Sequence, residues 1–391
     1  MRLNKILSLS IMASISLFGA DSLENVLSDS RNKSFDLNLQ KAEQDSQKSE
    51  KDWINAITLK LDYTADKLTQ GIEDEFTTGS ISISQPIFKS GGITSQINLA
   101  KANLLYSQVD VALAKKMMIK DAVTILFQLK QLDLKIEKQK LVVANAQLDV
   151  KTKQEQVIYG VMDASFLDNA IIDTNSKQTG LIDLETEKEN LINKFKNYSD
   201  KNYATFALPV LSIVSEESFI QNNNYIQKNA NEIAQKHWTY KLTNSKYLPS
   251  VNANYSYNHY FDHDGLNDAY YGVSVSMPLD IKYNNDIQST KISYMKAKLD
   301  SDLIKLEEQN LYKTKIEKIK NIDKKIELAK KDMELYKNLV FQVKELSSVG
   351  LKTITDAQIL ENSLRIKSMD ENIFAIDKQI EMLELYARYS A

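Results

Sequence analysis

The chain has 391 residues, 43% of them apolar, a formal net charge of -3 at pH 7 and no cysteine. That length allows two ordinary domains or one internally repeated one. The charge gives no reason to expect nucleic acid as a partner. Without cysteine there is neither a disulfide nor a lipid-accepting thiol, so stability must come from packing or assembly.

The first twenty residues, "MRLNKILSLSIMASISLFGA", hold two cations, then an apolar run, then small residues, with no acid before Asp21. That order predicts a secretory signal peptide over 1–20 and a mature start near Asp21. Read instead as an anchor, the apolar stretch is too brief to span a bilayer. Loss of Arg2 and Lys5 takes the formal charge from -3 to -5. No later stretch reaches about 18 uncharged apolar residues. Entry into a membrane would therefore have to be as a β-barrel.

Residues 21–198 read as a first repeat, beginning with a helix. Strands are predicted at about 53–65 and 76–88, where the periodicity is two. Ile57, Leu59, Leu61 and Tyr63 alternate with Thr58, Lys60 and Asp62, and Ile81 and Ile83 alternate with serines. From about 91 to 198 there is no proline, and helix-forming residues dominate. Gly160 is placed to break this region into a helical hairpin. Residues 199–246 form a connector with a short helix in "NYIQKNANEIAQKHW".

Residues 247–391 repeat the plan. Strands are predicted at about 249–260, where Val251, Ala253, Tyr255 and Tyr257 alternate with Asn252, Asn254 and Ser256, and at about 270–281, where Val273, Val275 and Met277 alternate with serines. A second hairpin is predicted at about 285–390, with its tip at Gly350. Its first helix carries Ile322, Ile326, Ala329, Met333, Tyr336, Val340 and Val343 in a 4-3 heptad rhythm. A helix of about 60–65 residues at ~1.5 Å per residue reaches about 90–100 Å, so it must project. The two strand-ending prolines, Pro86 and Pro278, and the tip glycines Gly160 and Gly350 keep nearly the same offset, so the chain reads as an internal duplication.

Four alternating strands suit a sheet with lipid on one side and water on the other; Leu59, Leu61, Ile81, Ile83, Tyr255, Tyr257, Val273 and Val275 are its expected lipid-facing residues. A soluble half-buried sheet alternates in the same way. In lipid, four strands leave open edges, so the chain would have to oligomerise. Two copies give a filled eight-stranded barrel, whereas three give twelve strands and room for a water-filled lumen. Tyr255, Tyr257, Tyr260, Tyr270 and Tyr271 would contribute to an interfacial aromatic girdle.

Three stretches resemble the TolC family of outer-membrane efflux proteins: "DSLENVL" at the start, "IYGVMDASFLDNAIIDT" at 158–174 and "SSVGLKTITDAQILENSL" at 347–364. The doubled strand-strand-helix-helix plan strengthens the resemblance, which covers essentially the whole mature chain. It implies a mainly α protein: a homotrimer with a twelve-stranded membrane β-barrel continued by a long α-helical coiled-coil barrel in the periplasm. It also implies a passive exit duct of a tripartite efflux or type I secretion system. The implied partners are outer-membrane lipid, a periplasmic adaptor touching the tips at Gly160 and Gly350, and an inner-membrane RND or ABC-type transporter. By position, the gate of the periplasmic aperture falls on Lys352 and Asp356. The family's second gate aspartate falls on Ile359, a departure. A ring of three Asp356 carboxylates would favour cations and raise their pKa. The resemblance leaves no C-terminal extension, so 199–246 is expected to build the equatorial region alone.

His259 and His263 beside Asp262 and Asp264 suggest a metal site, but the segment reads better as a polar loop between strands. No catalytic constellation is recognisable, and an enzyme, cofactor or metal is not expected. A second reading stays open: an exported coiled-coil scaffold or adhesin whose alternating strands form a soluble sheet.

Overall fold

A computed structural model describes residues 25–67, 73–262 and 267–389. The expected signal peptide at 1–20 lies outside the described residues. The helices are α1 (Asp29–Ser49), α2 (Gly92–Ile158), α3 (Ala164–Phe195), α4 (Glu216–Gln221), α5 (Asn224–Ser245), α6 (Tyr283–Ser348) and α7 (Ile354–Arg388). The strands are β1 (Thr58–Lys67), β2 (Glu73–Phe88), β3 (Ser250–Tyr260) and β4 (Asn267–Ser276). They form one antiparallel sheet in the order β1-β2-β3-β4, with β1 and β4 at its edges. No helix among the described residues is long and apolar enough to cross a membrane.

Two strand limits differ from expectation. β1 begins at Thr58 rather than near 53, and β4 ends at Ser276 rather than near 281. The two prolines therefore play different parts. Pro86 sits within β2, opposite Asn252, where the register shifts between Pro86 and Phe88; a bulge tolerates a residue without an N–H. Pro278 lies beyond β4, because β3 supplies ladder partners only as far as Ser250.

The chain divides into two compact units. One holds the sheet with residues 35–112 and 225–306. Here α1 packs on the start of α2, where the buried Ser46 hydroxyl donates to the Ala100 carbonyl at 3.1 Å. α5 is tied to α2 by the Lys228–Asp110 pair at 2.5 Å. The sheet-to-helix junction uses glycine for its backbone geometry. Gly91 has φ +83°, and a Cβ on Gly92 would lie 2.7 Å from the Ser245 hydroxyl.

The other unit holds residues 113–224 and 307–389 with the chain's first described residues. Ala122, Val123, Ile125, Leu126, Phe127, Leu129 and Leu132 are all buried, so this stretch of α2 is covered on nearly every side. Phe219 of α4 packs with Tyr312 of α6 and Leu385 of α7. The expected α6 seam from Ile322 to Val343 is buried or half-buried at all seven positions, while Lys324, Glu327, Lys331 and Glu334 are exposed. α2 and α7 meet through polar pairs at heptad spacing running in opposite directions. Gln131 donates to Asp377 at 2.7 Å, Lys138 to Asp370 at 2.5 Å, and Asn145 to Ser363 at 3.5 Å.

Candidate functional site

Because successive strand residues point to opposite faces, the ladder register assigns each side chain to one side of the sheet. Leu59 pairs with Ile81, Ile81 with Tyr257, Ile83 with Tyr255, Tyr255 with Tyr271, Ala253 with Val273, and Val251 with Val275. All eight residues singled out from the alternation therefore share one face. Leu59, Leu61, Val273 and Val275 are 68–74% exposed there, and no described residue packs over them. The opposite face carries rows such as Thr58–Ser82–Ser256–Tyr270 and Lys60–Ser80–Asn258–Asp268.

The register corrects the aromatic girdle. Tyr255, Tyr257 and Tyr271 lie on the apolar face, but Tyr260 and Tyr270 lie on the polar one, with Phe76. Tyr270 and Tyr271 are chain neighbours, so they cannot share a face. Parity within each strand separates them.

The hairpin tips are built alike. Gly160 and Gly350 have φ +70° and +77°. At the first tip the Gly160 N–H donates to the Val157 carbonyl and the Val161 N–H to that of Gln156. At the second, Gly350 donates to Ser347 and Leu351 to Leu346. Both are Schellman closures, which need the left-handed residue that glycine supplies without strain. Three residues past each glycine stands the next helix's N-cap, Asp163 or Thr353. Each tip also exposes an apolar trio: Ile158, Tyr159 and Val161, then Val349, Leu351 and Ile354.

Comparison with solved structures places this arrangement. The outer-membrane protein VceC of Vibrio cholerae matches with TM-score 0.77 at 12% identity, covering 94% of this chain and 96% of its own. The transmembrane channel CusC matches with TM-score 0.76 at 10% identity, covering 96% and 93%. The outer-membrane channel CmeC of Campylobacter jejuni matches with TM-score 0.73 at 14% identity, covering 94% and 84%. The fold is TolC-like. No protein-family model matches the sequence, and no curated protein matches it either.

Within this TolC-like fold, Lys352 and Asp356 flank the start of α7. Lys352 is exposed. Asp356 closes a capping box: its carboxylate accepts from the Thr353 N–H at 3.1 Å, and its own N–H donates to the Thr353 hydroxyl at 3.0 Å. Those bonds hold the Asp356 carboxyl below its usual value.

The histidine segment makes no metal site among the described residues. His259 Nδ1 bonds the Asn267 side-chain oxygen at 2.6 Å, and Asp262 accepts from the Thr77 N–H at 2.5 Å. His263 and Asp264 lie outside the described residues.

A buried charge chain in the second unit was not visible in the sequence. Arg388 of α7 donates to Glu308 of α6 at 2.5 Å, and the other Glu308 oxygen accepts from the buried Asn223 amide at 2.9 Å. Arg388 also reaches Glu384, which pairs with Lys120 of α2 at 3.2 Å. Burial alone would raise the Glu384 carboxyl, but Lys120 and Arg388 outweigh it and keep it below its usual range. A Glu in a solvated-looking helix gives no signal of a partner so distant in sequence.

Proposed function

We propose that the protein is a passive outer-membrane exit duct: a homotrimer with a twelve-stranded barrel in the membrane and its helical hairpins in the periplasm. The observation that carries this reading is the uncovered apolar face of the sheet, opposite a polar face rich in Ser, Thr and Asn. A soluble sheet would bury such a face against other elements; in lipid it needs no cover. Four is an even number of strands, so β1 and β4 run antiparallel. Pairing β4 of one copy with β1 of the next keeps every pair antiparallel and leaves no edge in lipid.

Energy and cargo selection then belong to an inner-membrane transporter of RND or ABC type, coupled through a periplasmic adaptor, in efflux or type I secretion. The exposed apolar tips at Gly160 and Gly350 suit the adaptor's docking, and tight glycine turns let two such tips present their side chains at one end. Lys352 and Asp356 line the periplasmic aperture. With its carboxylate already capping α7, Asp356 adds to the aperture one negative charge per copy held ionised by local bonds.

Carbonate extraction tests the membrane assignment. The duct stays in the pellet and migrates as a trimer until heated, whereas a peripheral scaffold or adhesin leaves with the wash. For the gate, Asp356→Asn keeps a capping acceptor while removing the charge. It should lower cation selectivity in planar bilayers; unchanged selectivity would remove Asp356 from the aperture.

A further inference from the structure

The polar face of the sheet carries three aromatic rings among its described residues: Phe76, Tyr260 and Tyr270. Phe76 and Tyr260 lie against each other with centroids 6.3 Å apart. Tyr270 lies along β4 above Gly272, where a Cβ would come within 2.6 Å of the phenol oxygen. Glycine at 272 thus lets the ring lie over the strand, and the ring remains 59% exposed.

Beside that ring is an open hollow of about 470 Å³. Thr58, Ser82 and Ser256 stand in the same cross-strand row as Tyr270. Neighbouring strands are about 4.8 Å apart, so these hydroxyls recur at that interval across the row. Asn254 flanks them, accepting from Ser84 at 2.6 Å and donating to Ser274 at 2.9 Å, which fixes its amide. No acid or base lines this hollow. A hydroxyl both donates and accepts, so the row selects for hydroxyl-rich ligands and not for charge.

We infer that this face is a binding patch for neutral oligosaccharide, with the Tyr270 ring stacking on the apolar side of a sugar and the Thr58–Ser82–Ser256 row meeting its hydroxyls. An aromatic solute would use the ring but leave the hydroxyl row unmatched. Phe76 and Tyr260, farther along the same face, extend the aromatic surface toward the β1–β2 end. The inference rests on the duct reading, in which this face lines the water-filled lumen.

The test is single-channel recording of the full-length protein in planar bilayers with maltohexaose, against polyethylene glycol of matched size and an aromatic cation. Maltohexaose should produce resolved blockades that the polyethylene glycol does not. Tyr270→Ala should weaken that block by about tenfold, in line with loss of one stacking contact, while Tyr270→Phe retains most of it. Ser82→Ala with Ser256→Ala, which leaves the ring in place, should also weaken it and covers the case in which Tyr270→Ala does not insert. Equal block by sugar and polymer, block by the cation alone, or no change in Tyr270→Ala overturns the patch while the duct stands. Absence of any conductance overturns both.

Discussion

At the residue scale, Arg388 holds the charge chain together. Its guanidinium neutralises Glu308, whose side chain is only 7% exposed. Removing one partner of a buried pair strands the other, at a cost of about 3 kcal/mol, whereas replacing both is far milder. Arg388→Met should therefore lower stability by roughly that amount, and Arg388→Met with Glu308→Met should recover most of it. Denaturant midpoints of the three variants give the comparison; an additive double variant would show that the pair does not interact. Glu384 adds a pH signature. Its folded carboxyl is depressed below the ordinary value of 4.5, so its contribution is present above that value and lost as pH falls through the folded one. Glu384→Gln should flatten the fall in thermal midpoint on acidification below 4.5 and leave neutral pH less affected. The tip glycines make a third case. Alanine at Gly160 or Gly350 forces a left-handed backbone on an L side chain, costing about 1–2 kcal/mol locally. Faster amide exchange confined to the last turn of α2 or α6 would report it.

At the element scale, the alternation in β4 makes neighbouring positions inequivalent. Val273→Arg should impair insertion by about 2–4 kcal/mol if its depth is near mid-membrane, and Ser274→Arg on the polar face should be tolerated. The amount recovered in folded form from detergent refolding separates the two, and equal recovery would contradict the assignment of faces. These elements also show what the sequence could reveal. Periods of two and of 3.5 are local, so the faces of β1–β4 and the Ile322–Val343 seam could be read directly. Gly160 and Gly350 could be read because so few glycines interrupt the helices. Thr353 and Asp356 form the T-x-x-D pattern of a capping box, a local signal that the sequence carries beside the gate position that the family resemblance implies for Asp356. The end of β4 was not legible, since strand ends depend on which neighbour still offers ladder partners. Nor were the Gln131–Asp377 and Lys138–Asp370 pairs, whose members are more than two hundred residues apart and touch only because α2 and α7 pack antiparallel.

At the scale of the whole molecule, one sheet is finished neither at its edges nor on its apolar face. β1 and β4 each present an unpaired side, and Leu59, Leu61, Val273 and Val275 present apolar surface that no described residue covers. In the proposed duct, lipid and further copies of the chain would satisfy both needs at once. The absence of native cysteine makes the decisive experiment clean, because each introduced thiol is the only one present. Single cysteines at 271, 273, 274, 275 and 276, in protein reconstituted into liposomes, would be challenged with a water-soluble maleimide. A membrane barrel predicts labelling at 274 and 276 and protection at 271, 273 and 275. Uniform labelling along β4 would place both faces in water and contradict a membrane barrel.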